Sequence, residues 1–293
     1  MQLSIALLDD SSDDIKDRLN ELKHSNTFEI CGVCTLGGAL NGARVPLYDD
    51  VSTMLSQASP DVVAIYVKDE LVLQSFKEVI KQCKNIIISR LAPLPLEILH
   101  ELSELAKAAN VRAILDLPHR FHPVILSLKK ELLKEEQIYS MSVTGINPKA
   151  LSIVELLVNN IDLASFTSSA EVYGGKDLSC TILARKGAYS QASLKLIMPT
   201  SQALCMQCSM LGEVERHFIE VATSGGIYFA DLLGRKLYMQ SEIGQINLRV
   251  DADSSEVRAQ YRAFYEYFMQ KGRANEAELG GIDEIIKIKE LFA

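Results

Sequence analysis

The 293-residue chain has no tryptophan and only 8 prolines. It also has no basic block, and its 30 Lys and Arg against 38 Asp and Glu leave a net charge of −8. Nucleic acid and anionic membrane surfaces are therefore poor electrostatic partners. No apolar run approaches the ~18 residues of a membrane-spanning helix. The opening "MQLSIALLDD" lacks the positive n-region and small-residue cleavage site of a signal peptide, so a cytoplasmic location is expected. Internal repeats and low-complexity segments are absent as well.

Cysteine is sparse, with six residues, four of them in two CxxC pairs: Cys31 with Cys34, and Cys205 with Cys208. Such pairs mark zinc or redox sites in the right setting. Here "FEICGVCTL" and "QALCMQCSML" read as strands, in which residues i and i+3 point to opposite faces. Neither pair closes easily on one metal, and buried hydrophobic roles are the plainer reading.

What is present is ordinary for a soluble globular chain: 48% hydrophobic and 23% charged residues. The first 120 residues alternate strand and helix. "LSIALL", "FEICGVCT", "DVVAIYV", "NIIIS" and "VRAILDL" are the apolar runs. Amphipathic stretches lie between them, such as "PLEILHELSELAKAAN" with Leu96, Leu99, Leu102 and Leu105 on one face. This rhythm implies a doubly wound parallel sheet. After residue 120 come two helices, "PVILSLKKELLKE" and "PKALSIVELLVNNIDLASFT". A series of strands then begins at "EVYGG" and leaves no room for helices between them, which implies a mostly antiparallel open sheet. A helix near the end, "SSEVRAQYRAFYEYFMQKG", and a short terminal helix complete the chain. The expected fold is an α/β Rossmann-like domain over residues 1–120 and an α+β domain over 121–293, with the last helix able to pack back on the first.

In order and spacing, several segments resemble the glucose–fructose oxidoreductase/inositol dehydrogenase/MocA family. They are "VPLYDDVSTMLSQASPDVVAIYV", "ILDLPHRFHPVILSLKKEL", "NNIDLASF", "IEVATSGGIYFADLLGRKLYM" and "AQYRAFYEYFMQKG", and together they span nearly the whole chain. The resemblance implies an NAD- or NADP-linked oxidoreductase fold whose C-terminal sheet forms a homodimer.

The family's chemical marks are missing where they align. Its glycine-rich phosphate turn is replaced by Asp9-Asp10-Ser11-Ser12-Asp13-Asp14. Four carboxylates repel a pyrophosphate there, whereas Ser11 or Ser12 as N-cap with Asp13 and Asp14 in the first turn suits a helix dipole. Thr35 and Leu36 stand at the ribose-reading position. The family's E-K-P becomes Ser89-Arg90-Leu91. Arg90 keeps a charge for a carboxylate or phosphate, or for a surface salt bridge, but cannot act as an acid or base. The D-x-x-x-H on the inward helix becomes Glu155 and Asn159, with Asp162 matching a further acidic position. Asn159 cannot shuttle a proton. His119, Arg120 and His122 in "PHRFHP" follow a parallel strand and border its cleft, as functional groups or as structural ones.

The acidic loop also resembles a response-regulator receiver, in which Asp9 and Asp10 would hold a divalent ion, but the phosphoacceptor position is Tyr66. The site candidates are therefore Arg90, His119, Arg120 and Asp162 for chemistry, Ser11, Ser12 and Arg90 for a cofactor, and Asp9 and Asp10 for a metal. With the motifs degenerate, the expectation is a non-catalytic interaction, regulatory or ligand-binding protein without a cofactor, homodimeric or bound to a protein partner. The alternative is a divergent NAD(P)-dependent oxidoreductase acting on a sugar or imine-like molecule.

Overall fold

The computed structural model describes residues 2–10, 14–36, 45–150, 152–170, 175–185, 188–251, 255–270 and 279–292, without the side chains at 14, 17, 69, 70, 184, 185, 188 and 189. The chain divides into two units, Met1–Pro118 with Val257–Ile286, and His119–Glu256 with Lys287–Ala293.

The first unit alternates β1 (Leu3–Asp9), α1 (Asp14–Lys23), β2 (Phe28–Thr35), β3 (Leu47–Tyr48), α2 (Val51–Ala58), β4 (Val62–Tyr66), α3 (Asp69–Val79), β5 (Asn85–Ile88), α4 (Leu96–Ala109) and β6 (Arg112–Leu115). Its six strands pair in the order β3-β2-β1-β4-β5-β6, and the pairs are parallel. β1 and β4 are apolar almost throughout and buried, as central parallel strands covered on both faces must be. Local signals set the helix ends. The Asp50 carboxylate accepts the Thr53 amide at 2.8 Å to start α2. α4 buries Leu99, Leu102 and Ala106 on one stripe and stops at Asn110, whose φ of 50° is left-handed.

The second unit opens with a 3₁₀ turn at Pro118–Phe121, followed by α5 (Pro123–Leu132), β7 (Ile138–Ile146), α6 (Ile153–Ser168), β8 (Lys176–Arg185), β9 (Ala188–Ile197), β10 (Ala203–Ser209), β11 (Arg216–Thr223), β12 (Ile227–Asp231), β13 (Lys236–Ser241) and β14 (Gly244–Leu248). The eight strands order as β14-β13-β12-β11-β7-β10-β9-β8. All neighbours are antiparallel except β7 and β10. Met141, Val143, Leu194, Met206, Ile219 and Val221 are buried on one face, and α6 packs against β7, β9 and β10. The alternate residues, Phe218 and Ile227 among them, lie exposed on the other face. α6 sits so close to β7 that a Cβ on Gly145 would lie 2.5 Å from the Asn160 amide nitrogen. Of the expected strand "EVYGG", residues 171–174 lie outside the described residues.

The chain then runs into α7 (Glu256–Met269) and α8 (Ile282–Glu290). α7 packs within the first unit: Tyr261 packs edge-on against Phe28 of β2, and Arg258 pairs with Glu21 of α1. Beneath it the Tyr66 and Tyr261 hydroxyls meet at 2.5 Å. Arg18 binds Asp116 beside them at 3.0 Å. Burial is the largest influence on both phenols and drives them well above their ordinary range.

Candidate active site

The second unit gathers one ionic cluster. Arg120, in the 3₁₀ turn, reaches Asp162 on α6 with two hydrogen bonds, Nε to Oδ2 at 2.9 Å and an Nη2 contact of 2.5 Å to Oδ1. Both side chains are buried, at 3% and 1% exposure. Burial alone would raise the Asp162 pKa, but the Arg120 charge and the hydrogen bonds from Arg120 and His119 outweigh it, so the carboxyl stays well below the usual range. The planar fork of the guanidinium suits this bidentate geometry. Phe166, one turn along α6, packs under both Arg120 and Lys129 through its ring face.

His119 Nε2 lies 2.8 Å from the same Asp162 Oδ2. With Asp162 ionised, Nε2 carries the proton and donates it, which leaves Nδ1 as the basic nitrogen. The His119 side chain is 21% exposed, so it is within reach of a ligand. A carboxylate that fixes the orientation and tautomer of an imidazole is part of the arrangement a proton-transferring histidine needs. The Asp162 carboxylate thus holds the His119 ring in one tautomer, with Arg120 locking the carboxylate behind it.

Two further histidines flank the pair. His122 does not present a free ring: it caps α5, its Nδ1 accepting the Val124 amide at 3.3 Å, and its Nε2 lies 3.5 Å from Glu256. Burial, with the Arg235 charge second, brings its pKa down to about 4, so its role in this structure is a structural one. His217 on β11 was not singled out by the sequence reading. It shares the parity of Ile219 and Val221, both buried, and that alternation is the signal that could have found it. Its Nε2 is buried without a hydrogen-bond partner. Burial, followed by the charges of His119 and His122, lowers its pKa to about 4.

The other sequence candidates lie in the first unit or outside the described residues. Arg90 stands just after β5 with a left-handed φ of 59°, a backbone state that costs energy for any residue but glycine. Ser11 and Ser12 lie outside the described residues. Asp9 and Asp10 are buried at the end of β1, but among the described residues no group of three or more His, Cys, Asp or Glu is arranged to hold a metal. The cysteines are free thiols. Burial pushes Cys31, Cys34 and Cys208 up to about 11, which keeps them protonated.

No family model matches the sequence, and no curated protein is similar to it. Solved structures are similar over nearly the whole chain. One is UDP-N-acetylglucosamine 3-dehydrogenase from Acidithiobacillus ferrooxidans, with a TM-score of 0.83 at 13% identity, covering 99% of this chain and 96% of that one. A second is an oxidoreductase from Agrobacterium radiobacter in complex with NAD⁺, L-tartaric acid and magnesium, at 0.84 and 13%, covering 99% and 94%. A third is a dehydrogenase from Clostridium difficile, at 0.81 and 14%, covering 99% and 97%. The fold is that of the glucose–fructose oxidoreductase/inositol dehydrogenase/MocA oxidoreductases.

In a sheet of this oxidoreductase fold a dinucleotide lies across the switch point, its pyrophosphate on the first helix. Here the strand order reverses between β1 and β4, so the switch point is present. The described residues at it do not fit a pyrophosphate. The Asp10 carboxylate accepts the Lys68 amide after β4. Its Oδ1 is buried without a partner, and Asp9 is 1% exposed beside it.

Proposed function

We propose that the chain is a divergent NAD(P)-dependent oxidoreductase acting on a sugar or imine-like small molecule, with His119 as the group that exchanges the substrate proton. The observation that carries this reading is the His119–Asp162–Arg120 arrangement, an imidazole oriented by a buried carboxylate in a fold whose solved examples bear dehydrogenase names. Asn159 takes the register position of the family's histidine, and the reading assigns the imidazole to the 3₁₀ turn instead. The likeness to a UDP-sugar dehydrogenase and to an NAD⁺ complex favours this oxidoreductase over the non-catalytic protein expected from the degenerate motifs. Thermal shift with NAD⁺, NADH, NADP⁺ and NADPH tests it. A ligand at about 100 times its dissociation constant adds about 2.7 kcal/mol, and no shift with any of the four counts against the reading.

The same reading includes a homodimer through the open face of the eight-stranded sheet. Exposed Phe218 and Ile227 and the stacked Phe229–Tyr238 pair on that face support it. A monomer by light scattering at micromolar concentration argues against it.

A further inference from the structure

We infer that Asp10 is a built-in block to phosphate: its carboxylate holds the Lys68 amide at the switch point of the parallel sheet and keeps the phosphates of a dinucleotide away from the end of β1. This deepens the oxidoreductase reading and rests on it, because it concerns how NAD(P) is held.

Ligands of doubly wound sheets lie outside the carboxyl ends of the strands, where the order reverses. Phosphates are held there by backbone amides that have no other partner. In this chain the segments after β1 and β4 are instead tied directly to each other. The Lys68 amide donates to Asp10 Oδ2 at 2.5 Å, across 58 residues of sequence. Lys68 is the N-cap residue of α3 and makes no side-chain cap, so its amide is among the donors at this edge that an anion would seek.

The carboxylate that takes this donor is nearly closed off from solvent. Asp10 is 8% exposed, its Oδ1 is buried without a partner, and among the described residues no cation pairs with it. Asp9 precedes it in the chain, also buried. A phosphate brought within several ångströms of such a group meets like charge in a medium that screens it poorly. The repulsion is worth roughly tenfold or more in affinity. The tie to the Lys68 amide and the charge of the carboxylate are separable. An asparagine at position 10 accepts the same Lys68 amide through its Oδ1 and keeps the tie, while the charge is gone.

The test measures dissociation constants for NAD⁺, NADP⁺ and inorganic pyrophosphate by calorimetry, on the full chain and on Asp10→Asn. Asp10→Ser is the second variant should Asn destabilise the fold, with melting by circular dichroism as the check. At least tenfold tighter binding by the variants is the expected result. Equal dinucleotide affinity in the full chain and the variants overturns the inference and leaves the oxidoreductase reading standing. No dinucleotide binding by any of the proteins overturns the reading, and pyrophosphate alone then decides the inference. It stands if the variants gain pyrophosphate affinity and falls if they do not.

Discussion

Replacing Asp162 with asparagine removes one charge and almost no volume from the buried cluster. The consequence follows from what remains. Arg120 is 3% exposed and permanently charged, so it is left without its counter-ion in a poorly solvated place. Breaking a buried ion pair by removing one partner costs about 3–5 kcal/mol. For a unit of this size that corresponds to a fall in melting temperature of roughly 6–20 °C. Calorimetry of the full chain reads it as a shift of the second unit's transition, since two units need not melt together.

The pH dependence supplies an independent arm. The folded-state pKa of Asp162 is depressed, so its stabilisation is fully present above the unfolded carboxylate value of about 4 and is lost as pH falls towards the folded value. The gap in melting temperature between the wild type and Asp162→Asn therefore narrows below about pH 4. A variant melting within about 2 °C of the wild type at pH 7, or a gap that widens in acid, refutes the reasoning.

Other perturbations follow from the same structure. His122 and His217, both held near 4, take up protons on unfolding between about pH 6.5 and 4, so stability falls as pH drops through that window; His217→Phe should flatten the melting-temperature profile there, and an unchanged slope would contradict the assignment. Tyr66→Phe leaves the buried Tyr261 hydroxyl without its partner and should cost about 1–3 kcal/mol in urea unfolding, with the double Phe variant recovering much of the loss. Gly145→Ala forces a methyl against Asn160 and should destabilise by about 1–3 kcal/mol, a loss that truncating Asn160 to alanine reduces.

Much of the fold was legible because the signals are local. Apolar runs with β-branched residues marked β1, β4 and β5, and i, i+3 and i+4 leucines marked α4. The change of rhythm near residue 120 separated a parallel from a mostly antiparallel sheet. The site was legible only in pieces. His119, Arg120 and Asp162 could each be named from the chain, but their hydrogen bonds span about 40 residues and follow from how α6 packs beside the 3₁₀ turn, which no spacing rule encodes. His122 looked equivalent to His119 in "PHRFHP", yet the proline after it starts α5 and makes the ring a cap. His217 was hidden because a single polar residue in an alternating strand looks like an exposed one until the buried parity is known. The Asp10–Lys68 tie, 58 residues apart, was likewise invisible, although the acidic loop had already pointed away from phosphate.

The central claim is that His119, oriented by Asp162, moves the substrate proton of a dinucleotide-linked reaction. Its most direct test is NAD(P)H absorbance during turnover of wild type and His119→Asn, across UDP-sugars, free sugars, polyols and hydroxy acids with both dinucleotides. Turnover with at least one substrate and a loss of about 10²–10⁴-fold in the variant are the expected results. Turnover by His119→Asn at the wild-type rate, or none by the wild type with any substrate, contradicts it.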